Sequence, residues 1–218
     1  LLGKAPFLNE DLVVDKWVLI PRPETEKVVE VAIWLLRQGE SVVAPVVLDI
    51  GTGSGAIAVS LAKALQAKVW ASDVSAEALE VAQINVRRLQ LEEQVAVVHG
   101  DLFCPFHVLN LAGQVDLVIS NPPYIPHRVV DTLAPEVSQH EPRMALDGGE
   151  DGCDFYRAIV PAAIPFLKPG LGWLVLELGD GLAVKVQDII GNQREFSTPQ
   201  VFPDLNGKDR VIMAKRGR

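Results

Sequence analysis

At 218 residues, 49% of them apolar and 22% charged, the chain can bury one sizeable core without disulfide staples. A net charge of −8 weighs against a protein whose affinity comes mainly from phosphate contacts. No apolar stretch reaches the ~18 residues of a membrane span, and Leu1-Leu2-Gly3-Lys4 is neither basic nor followed by an apolar core, so no secretory signal is expected.

In chain order, residues 1–20 read as an irregular lead-in with one short strand at Trp17-Val18-Leu19-Ile20. Pro21-Arg22-Pro23-Glu24-Thr25-Glu26 then opens a helix running to about Arg37, with Val28, Val29, Ala32, Ile33 and Leu36 at helical spacing. Pro in the first turn and acidic residues at the positive end of the dipole suffice to start that helix. Val46-Val47-Leu48-Asp49-Ile50 is a strand, Gly51 to Gly55 a turn, and a helix follows through Leu65. Lys68 to Asp73 is the next strand, and Ser75 with Glu77 and Glu80 starts a helix to about Leu89. Further strands are expected at Val95 to His99, Val115 to Ile119 and Gly172 to Leu178, with helices at Asp154 to Leu167 and Leu182 to Ile190. Residues 124–150 read as a long loop. Two closing strands, about 195–202 and 209–215, are placed as a hairpin across Pro203 to Gly207. Alternating strands and helices predict an α/β fold with a mostly parallel sheet and an antiparallel C-terminal hairpin.

Two features carry chemistry. Gly51-Thr52-Gly53-Ser54-Gly55, between a strand and a helix, is a nucleotide-type turn. Its glycines allow close approach of a ligand, and the helix behind it offers free N–H groups to an anion. Asp73, ending the next strand, is placed to accept from ribose hydroxyls. Gly51, Gly53 and Ala56 also fit the dinucleotide pattern with an acidic residue some 20 positions on, and a turn that merely packs helix on strand has the same composition. Asp101 ends the third strand as Asp73 ends the second, and it can accept from an adenine amino group.

The second feature is Asn121-Pro122-Pro123-Tyr124, where the fourth strand opens into a loop. Two prolines fix φ and stiffen that loop. A stiff loop can present the Asn121 side-chain carbonyl and a proline carbonyl side by side, matching the two hydrogens of a planar –NH2. Tyr124 adds a ring face for a flat group. The two cysteines, Cys104 and Cys153, and the four histidines have no metal-ligand spacing, so no metal is expected.

The succession Gly51, Asp73, Asp101, Asn121 along consecutive strand ends resembles the S-adenosylmethionine-dependent methyltransferases. That resemblance implies a Rossmann-like class I sheet, with Gly51, Thr52, Gly53, Ser54 and Gly55 at the methionine moiety, Asp73 at the ribose, Asp101 or the Leu102 backbone at the adenine, and Asn121 between cofactor and methyl acceptor. Asn-Pro-Pro-Tyr is shared in kind by N6-adenine and N5-glutamine enzymes. In both, Asn121, Pro122, Pro123 and Tyr124 would hold the planar nitrogen, with Asn121, Pro122 and Tyr124 in the catalytic role. Leu19 to Glu26, Asp49 to Ala58, Ser120 to Pro126, Glu141-Pro142-Arg143 and Ala145 to Gly149 together resemble the peptide-chain release-factor glutamine methyltransferases. So do Gly152, Tyr156-Arg157, Leu176 to Gly179 and Gly207 to Val211. The resemblance implies methylation of the glutamine amide in the Gly-Gly-Gln loop of class 1 release factors, with no membrane and no direct nucleic-acid partner. It also implies a bacterial cytoplasmic or an organellar stroma or matrix setting. On this reading residues 1–40 form a lead-in and a helix over the cofactor site, 41–218 form the catalytic domain, and the family's small helical N-terminal domain is expected to be missing. The alternative left open is an N6-adenine DNA or RNA methyltransferase. No roles are assigned to Arg22, Glu26, Glu141, Arg143 or Glu177 beyond a pocket wall, loop anchors and a strand-end acceptor.

Overall fold

The computed structural model describes residues 3–38, 44–133 and 141–218. One seven-stranded sheet organises it. Strands β3 (Val46–Ile50), β4 (Lys68–Asp73), β5 (Val95–His99), β6 (Leu117–Ser120) and β7 (Trp173–Glu177) run parallel. Strand β9 (Asp209–Lys215) pairs antiparallel with β7, and β8 (Gln200–Pro203) with β9 at the edge. The order β5-β4-β3-β6-β7-β9-β8 reverses direction between β3 and β6. In open α/β sheets such a reversal opens a crevice beyond the carboxyl ends of the strands.

Successive strand residues point to opposite faces, and both faces are covered. Val47, Leu117, Ile119 and Val175 pack with helices α1 (Pro23–Gln38) and α2 (Ala56–Leu65). Leu48, Ile50, Val118 and Leu174 pack with α5 (Asp154–Ala163), α6 (Ala183–Gly191) and Phe103 and Phe106. Helix α3 (Ala76–Arg88) begins at Ser75, whose hydroxyl accepts from the Ala78 N–H at 3.1 Å, a side-chain cap.

Residues 3–14 differ from expectation. Strands β1 (Gly3–Phe7) and β2 (Glu10–Val14) form an antiparallel hairpin. The turn carries its positive φ on Leu8 (51°), a residue type that gives no turn signal in sequence. Buried Asn85 of α3 docks this hairpin. Its side chain accepts from the Val13 N–H at 2.7 Å and donates to the Val13 and Ser54 carbonyls at 2.9 Å. Phe7 and Leu12 enter the same core as α1 and α2, so the N-terminal residues and the sheet share one interior.

Trp17 to Ile20 is not a strand; it runs unpaired into Pro21 and Pro23. The helix expected over 154–167 ends at Ala163, just after the internal Pro161 and short of Pro165. The fourth parallel strand starts at Leu117, with Val115 making only an isolated bridge to Leu167. Within the expected 124–150 loop lie the short helix α4 (His127–Val130) and a 3-10 turn at Arg143–Ala145, while residues 134–140 lie outside the described residues. The division placed at residue 40 also falls there.

Candidate active site

A cleft opens at the carboxyl ends of β3, β4, β5 and β6. Gly51, Thr52, Gly53, Ser54, Asp73, Asp101, Leu102, Asn121, Pro122 and Pro123 all line it. Four separate strand ends named from sequence are therefore brought together.

The floor is the turn after β3. Gly51 and Gly53 have φ of 70° and 54°, and a Cβ at either would meet nothing within 4 Å. Bare backbone thus faces open space, where a ligand can approach. Gly55 differs. It does not line the cleft, and a Cβ there would come within 3.3 Å of the Ala82 Cβ. Its lack of a side chain lets α2 pack on α3. The Thr52 hydroxyl is also turned away from the cleft, donating to Asp49 Oδ2 at 2.6 Å. Burial pushes the Asp49 carboxyl up to about 7, against that Thr52 bond.

Asp73 clamps the turn. Its Oδ2 accepts from the Gly53 N–H and its Oδ1 from the Ser75 N–H, both at 2.9 Å. Each oxygen keeps a further lone pair for a hydroxyl. Asp101 is exposed at the rim. Leu102 adopts a left-handed φ of 46°, and its carbonyl accepts from the Ser72 hydroxyl at 3.1 Å. Trp17, Val18, Leu19, Pro21, Met144 and Phe155 add walls. The segment misread as a strand is therefore a cleft wall. Arg22 and buried Glu141 fasten it: one guanidinium nitrogen reaches both carboxylate oxygens at 2.7 Å, and the Ile20 N–H donates to Oε1 at 3.3 Å.

The Asn-Pro-Pro-Tyr loop is held from behind by glycines. A Cβ at Gly148 would fall 2.6 Å from Tyr124 Cα, one at Gly152 2.4 Å from the Tyr124 carbonyl oxygen, and one at Gly179 2.6 Å from Tyr124 Cδ2. The Ile125 N–H donates to the Leu146 carbonyl at 2.9 Å and the Gly148 N–H to the Ile125 carbonyl at 2.8 Å. The motifs around Gly148, Gly152 and Gly179 are therefore one packing unit beneath this loop. Tyr124 is not a cleft residue. Its ring packs against Gly179, and its hydroxyl donates to Glu177 Oε1 at 3.4 Å.

Asn121 heads a chain of polar groups. Its Nδ2 donates to Thr25 Oγ1 at 3.1 Å, and that hydroxyl donates to Glu177 Oε2 at 2.7 Å. Thr25 and Glu177 are both buried. Burial pushes the Glu177 carboxyl up to about 7, opposed by the bonds from Thr25 and Tyr124 and by the Arg210 charge. The sequence named the Pro21 to Glu26 run without singling out Thr25. Only the pairing of α1 with the end of β7 reveals it.

A bare glycine floor, two carboxylates at neighbouring strand ends and the apolar Val74 and Leu102 between them fit a ligand with an adenosine body and an amino-acid tail. The fold and this site are those of a class I S-adenosylmethionine-dependent methyltransferase. Residues 32–150 match the Methyltransferase small domain family. The chain belongs to the release factor glutamine methyltransferase family. It is 43% identical over 217 residues to the release factor glutamine methyltransferase of Moorella thermoacetica, covering 99% of this chain and 74% of that protein. It is 46% identical to the enzyme of that name from Geobacter sulfurreducens, covering 100% and 72%. Solved structures with the same fold include the hMettl16 catalytic domain in complex with MAT2A 3'UTR hairpin 6, at TM-score 0.71 and 16% identity over 94% of this chain and 74% of that one. A methyltransferase from Pyrococcus furiosus follows at TM-score 0.62 and 22% identity, covering 92% and 86%. The methyl donor of this class is S-adenosyl-L-methionine.

Proposed function

We propose that the chain methylates the side-chain amide nitrogen of the glutamine in the Gly-Gly-Gln loop of class 1 peptide-chain release factors. The relatives support the choice of substrate, and the observation that supports the chemistry is the polarity of Asn121. With Glu177 ionised, the single Thr25 proton is committed to it, so Thr25 can only accept from Asn121. The Asn121 NH2 therefore points back to Thr25, and its carbonyl oxygen is free for the cleft.

An amide nitrogen is a poor nucleophile because its lone pair is delocalised into the carbonyl. The Asn121 carbonyl and the Pro122 carbonyl accept its two hydrogens. Those bonds strengthen as positive charge develops on nitrogen and aim the lone pair along one direction. The cofactor supplies the methyl group as a sulfonium electrophile. Gly51 and Gly53 would hold its amino-acid end, Asp73 its ribose, and Asp101 with Leu102 its adenine. After transfer the nitrogen is strongly acidic and sheds a proton to water without a dedicated base. Thr52 and Ser54 contribute to this floor through backbone, and Gly55 through helix packing.

Trp17, Val18, Leu19, Pro21 and Thr25 act in this reading as a wall of the site. Among the described residues no helix is long and apolar enough to cross a membrane. The bacterial relatives support a cytoplasmic setting and a release factor as partner. N6-adenine methylation draws no support from those relatives, and a chain of charge −8 is poorly suited to a nucleic-acid partner.

The test is a methyl-transfer assay offering a class 1 release factor, duplex DNA and adenosine in parallel. Mass spectrometry should place one methyl on the Gly-Gly-Gln glutamine. Methylated adenine beside an unmodified release factor would reverse the assignment.

A further inference from the structure

We infer that Thr25 and Glu177 are positioning residues that lock the Asn121 amide in the one orientation presenting an acceptor to the methyl-receiving nitrogen. The inference rests on the function proposed above and goes beyond it: Glu177 lies behind the cleft, and Thr25, at its wall, has its hydroxyl turned to Glu177.

The argument is one of proton counting. An amide has two ends of nearly equal shape, one donor and one acceptor. Nothing in Asn121 itself decides which end faces the cleft. An ionised Glu177 can only accept. It draws the Thr25 hydroxyl proton at 2.7 Å, which leaves that oxygen only lone pairs to offer Asn121. The NH2 at 3.1 Å follows from this, and the carbonyl is turned outward. With a neutral carboxyl the constraint is lost: Glu177 can donate to Thr25, Thr25 can donate to Asn121 Oδ1, and the amide can present NH2 to the cleft. An NH2 facing an NH2 repels the substrate.

The groups facing Glu177 are Thr25 and Glu24 from α1, Tyr124 from the loop and Arg210 from β9, while Tyr156 bonds its backbone carbonyl at 2.8 Å. Since burial holds this carboxyl near 7, the lock engages within the working pH range. Catalytic turnover should rise as pH climbs through that value.

Kinetics and NMR on four variants test this. Thr25→Val keeps the shape and removes the hydroxyl. With a class 1 release factor and S-adenosylmethionine it should lower kcat by about 10- to 100-fold, with KM and S-adenosylhomocysteine affinity nearly unchanged. Thr25→Ser should restore most of the loss, as a merely steric role would not require. Glu177→Gln should flatten the rise of kcat with pH. Independently of any substrate, the Asn121 side-chain NH2 pair in a 15N NMR spectrum, identified by its disappearance in Asn121→Asp, should titrate with Glu177 and shift in Thr25→Val. Wild-type kcat in Thr25→Val, or equal loss of kcat and cofactor affinity, would overturn the lock. A wild-type chain that leaves release factors unmodified defeats the substrate assignment alone. The lock then stands or falls on the Asn121 signal, and a signal indifferent to both substitutions refutes it.

Discussion

Gly179 lies so close to the Tyr124 ring that a Cβ there would stand 2.6 Å from Cδ2. Strand β7 thus delivers two things to the loop opposite: Glu177 as an acceptor, and two residues later a gap that the ring fills. Gly179→Ala keeps an accessible backbone but must push the ring or the loop aside. Overpacking of this kind costs about 1–3 kcal/mol. A lower melting temperature with a kcat loss larger than any change in cofactor affinity is the expected result. Gly148→Ala should be worse, because its obstacle is the Tyr124 backbone rather than a ring edge. Retention of full activity by both variants would separate the glycines from the loop's geometry.

At the cofactor floor, Gly53→Val should abolish S-adenosylhomocysteine binding. Its side chain would occupy open cleft, and a β-branched residue at φ 54° is strained. Asp73→Ala should weaken binding by about 1–3 kcal/mol through loss of charge-assisted bonds. It should also loosen the turn, since the Gly53 and Ser75 N–H groups lose their acceptor. Calorimetry distinguishes the two roles: asparagine at 73 should restore the turn better than the affinity. Unchanged affinity in Asp73→Ala would remove the ribose assignment.

Much of this site could be read from sequence because each element ends where its chemistry begins. Asp73, Asp101 and Asn121 were assigned to strand ends on local pattern, and parallel pairing alone carries them to one cleft. The β1–β2 hairpin was hidden because its turn uses Leu8 where glycine or asparagine would give a signal. Trp17 to Ile20 has the composition of a strand but no neighbour to pair with; its apolar side chains cover the cleft. Tyr124 is legible only in part for a different reason. Sequence gives an aromatic ring, whereas its packing depends on Gly179, 55 positions away. Thr25 and Glu177 were undervalued because a helix start and a strand-end carboxylate each have a sufficient local explanation.

Glu177 should cost stability in proportion to its ionisation. Its folded value near 7 lies above the ordinary carboxyl value of 4.5. The folded state therefore holds more protons than the unfolded state between those two limits, and stability falls as pH rises through that window. Above pH 7 the full penalty applies. Glu177→Gln should match the wild type near pH 4.5 and exceed it by roughly 1–3 kcal/mol at pH 8. Asp49, also raised by burial to about 7, contributes a slope of the same sign in both proteins. Urea midpoints at several pH values supply the measurement. A difference between the two proteins that does not vary with pH would show that Glu177 is not buried as a charge. The expected result, a variant more stable and less active at pH 8, is that of a strained ionisation serving function.

Asn121 offers the sharpest chemical test. Asn121→Ala removes the acceptor and should lower kcat by about 10²–10³, the scale of one preorganised electrostatic partner, with little effect on cofactor affinity. Asn121→Asp retains an acceptor of nearly the same shape, yet the polar chain behind it decides the outcome. Ionised, the aspartate would present an oxygen to Thr25, whose only proton is held by Glu177 at 2.7 Å. Two carboxylates would then flank one hydroxyl, and each would raise the other's proton affinity. Activity at pH 8 should be no better than that of the alanine variant. A single proton shared by the pair changes this. Placed on the new aspartate, it can be donated to Thr25 just as the asparagine NH2 is, leaving a carbonyl toward the cleft. Asn121→Asp should therefore gain activity as pH falls, while the wild type loses it. The two proton steps belong to the coupled pair rather than to either residue. Parallel pH–kcat profiles of the two proteins decide the matter. A variant whose profile rises with pH like the wild type would mean that Asn121 acts through its oxygen alone, with no directional demand from Thr25 and Glu177.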